Sequence, residues 1–84
     1  MYRKEILMVQ KHSVEDFRNE LFIRLRGLRE EEGVTQQELA SRMKTTGSAI
    51  SRLESGRRNP RLDTLALYAN ALGYDIEFVF EEVE

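Results

Sequence analysis

The run from Thr35 to Pro60, TQQELASRMKTTGSAISRLESGRRNP, constrains this 84-residue chain more than any other part of it. Thr35 followed by Glu38 is a capping box, in which the hydroxyl accepts from the Glu38 amide and the carboxylate can reach back to the Thr35 amide. A helix therefore starts at Gln36, buries Leu39, Ala40 and Met43 on one stripe, and stops near Lys44. Ala40 is small enough to let a following helix cross closely. Thr45 or Thr46 can cap that next helix, which spans roughly residues 47–55 and turns Ile50 and Leu53 inward. The segment thus reads as two short helices across a tight corner, followed by a basic loop.

The second helix leaves Gly47, Ser48, Ser51, Arg52 and Ser55 outward. An ordinary solvated helix face carries Glu and Lys, although a Ser-rich solvated helix would show the same pattern. Short hydroxyls and a guanidinium also suit a face pressed on base edges and phosphates, where Arg bonds guanine bidentately. Charge favours the second reading. Between Arg42 and Arg61 stand six cations (Arg42, Lys44, Arg52, Arg57, Arg58, Arg61) against the single anion Glu54. The rest of the chain holds seven cations against fourteen anions, for a total of −2. A cationic block on an otherwise acidic chain is the footprint of one nucleic-acid-facing surface.

At TQQELASRM, TTGSAISRLESGRRNP and LDTLALYANALG the chain resembles the Xre/Cro and phage-repressor helix-turn-helix group. The resemblance runs from about Leu21 to Gly73 and rests on Gln36, Ala40, Ile50, Ser51, Arg52, Glu54, Gly56, Asn59 and Pro60. It implies that Gln36 anchors a phosphate, that Ser48, Ser51 and Arg52 read bases, and that Arg57 and Arg58 grip the backbone. Arg42, Lys44, Thr46, Gly47 and Asn59 complete the candidate DNA-binding set. Three positions depart from the family pattern: Lys44 replaces a corner Gly, Thr45 a small apolar residue, and Gly47 a Gln or other base-contacting side chain. A left-handed Lys costs about 1 kcal/mol. Gly47 reaches no base and costs about 1 kcal/mol of helix propensity against Ala.

Scaffold helices flank the motif. Ser13 and Asp16 form a second capping box, and Val14, Phe17, Leu21, Leu25 and Leu28 make a stripe reaching about Glu32, with Gly33 as the stop. Phe22 and Ile23 lie off that stripe and either widen the core face or meet a second chain. Glu54 is expected to cap local amides or to pair with a first-helix Arg such as Arg24. After Pro60, Leu62, Leu65, Ala66, Ala69 and Leu72 form a last stripe closed by Gly73. The ends change period. Tyr74, Ile76, Phe78 and Phe80 alternate with polar residues and Val79 as in a half-buried strand, and Ile6-Leu7-Met8-Val9 is strand-like too. Residues 1–12 carry net +2, whereas residues 73–84 hold five carboxylates and no cation. Pairing the ends in one sheet is the economical arrangement.

The expected fold is therefore mostly α: a four-helix Xre/Cro-like helix-turn-helix domain with short N- and C-terminal strands in a small intersubunit sheet. One domain covers residues 1–84, with an N-terminal strand in 1–11, a helical core in 13–73 and a C-terminal dimerisation strand in 74–83. A lone hairpin-sized sheet is marginal in water and an open edge invites a second copy. A homodimer through Ile6, Met8, Tyr74, Ile76, Phe78 and Phe80 follows, the alternative being a monomer with tails folded on its own helices. The chain has no Cys, its one His stands alone before the Ser13 cap, and no triad, phosphate-cradling loop or metal-ligand spacing accompanies it. Catalysis, cofactors and metals are not expected, nor is a membrane span or a signal segment, and a cytoplasmic place fits. The expected function is a sequence-specific repressor binding double-stranded DNA. The β-like tail GYDIEFVFEEVE resembles that of HigA-type antitoxins, and the resemblance implies the alternative, an antitoxin that binds a toxin protein and represses its own operon; a purely structural interaction module would show no salt-sensitive DNA affinity.

Overall fold

Three of the four helices begin where a hydroxyl waits for an amide. The computed structural model of the chain describes residues 4, 6, 13–57 and 59–82. Ser13 Oγ accepts from the Asp16 amide at 3.1 Å and opens α1, Val14–Glu31. Thr35 Oγ1 accepts from the Glu38 amide at 3.0 Å and opens α2, Gln36–Met43. The Glu38 carboxylate turns instead to Arg42, 3.3 Å from Nη2. Thr46 Oγ1 accepts from the Ala49 amide at 3.1 Å and opens α3, Gly47–Glu54. The fourth helix, α4, Leu62–Ala71, starts at Arg61 without a side-chain cap.

The corner between α2 and α3 is made by Lys44, whose φ of 57° is left-handed. Its amide bonds back to Ser41 O, and the Thr45 amide to Ala40 O, which satisfies carbonyls at the end of α2. That tight reversal lets α2 pack along α3 while also meeting α4; α1 packs on α3. Between them lies one apolar core of Phe22, Leu25, Leu28, Val34, Leu39, Ala40, Ile50, Leu65, Tyr68 and Leu72.

Phe22 therefore belongs to the core, while Ile23 is exposed. The α1 stripe is Phe22, Leu25, Leu28 and Arg29, with Leu21 packed at its edge, and the expected members Val14 and Phe17 are exposed. An 18-residue helix is about 27 Å long, and the eight-residue α3 packed on it, about 12 Å long, leaves its first turn uncovered. In α4 the stripe is Leu65, Tyr68 and Ala69, continued by the buried C-cap residue Leu72, and Leu62 stands exposed at the first turn.

The small terminal sheet is not seen: among the described residues there is no strand. A strand persists only with a ladder partner, and residues 74–82 have none among the described residues. Their first part folds back, with Tyr74 and Ile76 packed on the core. The alternation then fails, because Phe78, Val79 and Phe80 are all exposed. Among the described residues the two ends meet where Lys4 Nζ lies 3.8 Å from Glu77 Oε2. Ile6 is exposed, and the rest of the expected N-terminal strand, Met8 included, lies outside the described residues.

Candidate nucleic-acid interface

The placement of α3 depends on one buried carboxylate. Glu54, at the last turn of α3, meets one side chain from every other helix. Arg29 of α1 donates through Nε to Oε2 at 2.7 Å and through Nη2 to Oε1 at 3.0 Å. Gln36 of α2 donates through Nε2 to Oε1 at 3.0 Å, and the Tyr68 hydroxyl of α4 donates to Oε2. Both members of the ion pair are almost wholly enclosed, with side-chain exposures of 8% and 3%. Arg29 Nη1 also donates to Val34 O at 2.7 Å, tying the turn after α1 to the same point.

Burial alone pushes the Glu54 carboxyl up, but the bonds from Arg29, Tyr68 and Gln36 outweigh it and hold the group below its usual range. Tyr68 is held well above its ordinary value by burial and by the carboxylate it donates to. The bond to Glu54 likewise raises Arg29. At neutral pH the cluster is thus a carboxylate, a guanidinium and a neutral phenol. The partner expected in sequence, Arg24, sits on the exposed side of α1; Arg29 takes the role because it shares the buried face with Phe22 and Leu25. Spacing of i, i+3, i+7 from Phe22 would have revealed it, as Leu65 and Leu72 would have revealed Tyr68.

Locked at its end, α3 turns Ile50 into the core and keeps Ser48, Ser51 and Arg52 exposed. Thr46 is exposed but spends its hydroxyl on the cap. Ser55 likewise donates to Arg52 O at 2.6 Å and serves the helix end. Gly56 is buried at φ +71°, and a Cβ there would stand 3.4 Å from Asn19 Oδ1 and 3.6 Å from Phe22 Cδ2. Only glycine makes this turn without strain, and it releases the chain outward at Arg57. Asn59 is held by α1, its Oδ1 accepting from Arg18 Nη1 at 2.5 Å.

The candidate residues therefore divide. Lys44, Ser48, Ser51, Arg52 and Arg57 are exposed, and no carboxylate among the described residues pairs with the three cations. Gln36, Arg42 and Asn59 have protein partners: Gln36 has Glu54, and Arg42 donates to Ala71 O at 2.9 Å and to Glu38. Gly47 is half-buried beside Gln37, whose Oε1 lies 2.7 Å from the place of a Cβ. Arg58 lies outside the described residues. Among those described, no cluster of His, Cys, Asp and Glu could hold a metal ion, and no helix is long and apolar enough to cross a membrane.

A family model described as "Helix-turn-helix" matches residues 25–79. The chain is 38% identical over 61 residues to the "HTH-type transcriptional regulator DdrOP3" of Deinococcus deserti, covering 73% of this chain and 47% of that protein. It is 48% identical over 46 residues to the "Uncharacterized HTH-type transcriptional regulator y4dJ" of Sinorhizobium fredii, covering 55% of this chain and 60% of the other. The chain thus matches about half to three-fifths of the length of these curated relatives. No solved structure matches it.

Proposed function

The chain belongs to the Xre/Cro-like helix-turn-helix family, and on that footing we propose that it is a sequence-specific DNA-binding transcriptional regulator. It acts as a dimeric repressor in the cytoplasm, laying α3 in the major groove of a two-fold symmetric operator. It performs no catalysis and needs no cofactor.

The observation that carries this reading is the free face of α3. Ser48, Ser51 and Arg52 stand open to solvent beside Lys44 and Arg57, cations that no described carboxylate neutralises. Arg52 reads a base, while Lys44 and Arg57, with Arg58, engage phosphates. Gln36, Arg42 and Asn59 serve at the rim, each using the hydrogen-bonding capacity left beyond its protein contact. Binding is tested by selecting fragments from a random duplex pool over a range of salt. A two-fold symmetric consensus, with affinity falling steeply as salt rises, is expected. No enrichment of any sequence would refute it.

The dimer forms through the tail, where Phe78 and Phe80 are exposed. The same tail supports a second reading, an antitoxin that binds a toxin and represses its own operon. Three consecutive exposed apolar residues within an acidic segment suit a basic protein partner. A small basic protein encoded beside this chain, and recovered bound to it, is the outcome that favours this reading over the solitary repressor.

A further inference from the structure

Two adjacent glutamines open α2, and they point to different tasks. Gln36 turns inward and gives its Nε2 to Glu54 at 3.0 Å. Gln37, the next residue round the helix, is exposed. Its carboxamide lies across the start of α3, with Oε1 2.7 Å from the position a Cβ would take on Gly47. A Cβ there would push this flexible amide aside, so the glycine at 47 leaves it room to lie over the start of α3.

The first turn of a reading helix lies nearest the base edges. In α3 that turn offers little reach: Gly47 has no side chain, Thr46 is committed to the cap and Ser48 is short. Gln37 is long and exposed, and it hovers over that turn. We infer that Gln37 reads a base from α2 in place of the side chain absent at Gly47, the two residues acting as one specificity device. A carboxamide pairs its acceptor and donor with adenine N6 and N7, so the base is adenine. The inference rests on the DNA-reading function proposed above.

Three variants of the full chain test it, each run through selection from a random duplex pool and then titrated on the wild-type consensus at several salt concentrations. Gln37→Ala should erase an adenine preference at one position in each half-site. It should cost roughly tenfold in affinity there, within the range for a lost bidentate contact, and leave the salt dependence as it was. Gln37→Glu, an acceptor only, should move the preference from adenine to cytosine, whose N4 donates. Gly47→Ala pushes the carboxamide aside and should lose the same preference although its melting temperature rises, because Ala is the better helix former.

If wild type yields a consensus and the Gln37 variants reproduce it, the device is refuted while DNA reading stands. A uniform loss on all sequences with a flatter salt dependence would make Gln37 a phosphate contact and equally overturn the inference. If wild type enriches no sequence, both fall together.

Discussion

Three side chains, one from each of the other helices, close on the Glu54 carboxylate, and this sets both a strength and a weakness. Glu54→Gln would leave the Arg29 guanidinium enclosed without its counter-charge, a loss of about 3–5 kcal/mol by the general cost of breaking buried pairs. That is a large share of a small domain's stability, so urea unfolding at neutral pH should show a far lower midpoint. The double variant Arg29→Met with Glu54→Leu should recover much of it, since apolar replacement of a whole buried pair is often neutral or better. Acid makes a related prediction. The Glu54 carboxyl is held low in the folded chain, so the unfolded chain takes up its proton first as pH falls. Its contribution is complete above an unfolded carboxylate value of about 4.3 and is lost as pH drops through the lower folded value. The urea midpoint of wild type should fall on this limb more steeply than that of the apolar double variant, and parallel limbs would remove Glu54 from the acid response. On the outer face, Arg52→Ala should cost about 1–3 kcal/mol on the operator and relax one base position. Arg57→Ala should weaken all sequences alike and flatten the salt dependence. Fluorescence anisotropy on operator and scrambled duplexes separates the two, and equal losses for Arg52→Ala on both would deny it a base.

At the scale of elements, the corner between α2 and α3 shows how far local signals reach. Lys44 sits left-handed at φ 57° where glycine would be unstrained. Lys44→Gly should therefore stabilise the fold by up to about 1 kcal/mol, less what glycine adds to the freedom of the unfolded chain. It also deletes an exposed cation beside the reading face and should weaken DNA. Higher thermal stability with lower affinity is the expected pair, and a lower melting temperature would show that the Lys side chain stabilises the corner. This corner and three of the helix starts were legible because capping and chain reversal are local: Ser13, Thr35, Thr46 and Lys44 act within a few residues of themselves. The exposed face of α3 was legible because polarity on a helix is periodic. What escaped depended on neighbours distant in sequence. Arg29 and Tyr68 matter only because α3 brings Glu54 to them, and Gln37 only because α3 starts beneath it. The α1 stripe was misplaced for a similar reason, since the length of packed neighbours decides which turns of a helix are covered. Strand-like alternation at residues 74–80 was real in the sequence, but alternation supplies no ladder partner.

At the scale of the whole molecule, the cationic block and the acidic tail occupy separate parts of the chain. Cations gather on α3 and its following loop, while the tail after residue 73 carries only carboxylates. One α3 of eight residues is about 12 Å long and meets only a few base pairs. Recognition of a longer operator then calls for a second copy, with half-sites about 34 Å apart on one DNA face. For the dimer proposed above, the tail offers apolar surface: Tyr74 and Ile76 are packed on the chain's own core, whereas Phe78 and Phe80 are exposed, by 54% and 95%. Two acidic tails side by side repel, so each tail is better matched to the partner's cationic first residues, a pairing whose chemistry Lys4 and Glu77 already display within one chain. Phe78→Asp adds a further anion and removes an aromatic anchor while leaving the core untouched. Sedimentation should then report a monomer. Binding to the full palindrome should fall towards that of a single half-site, because linked recognition is lost with the second copy, and half-site affinity should be unchanged. A dimer that survives this substitution would move the interface elsewhere, with exposed Leu62 and Leu67 of α4 next to be replaced.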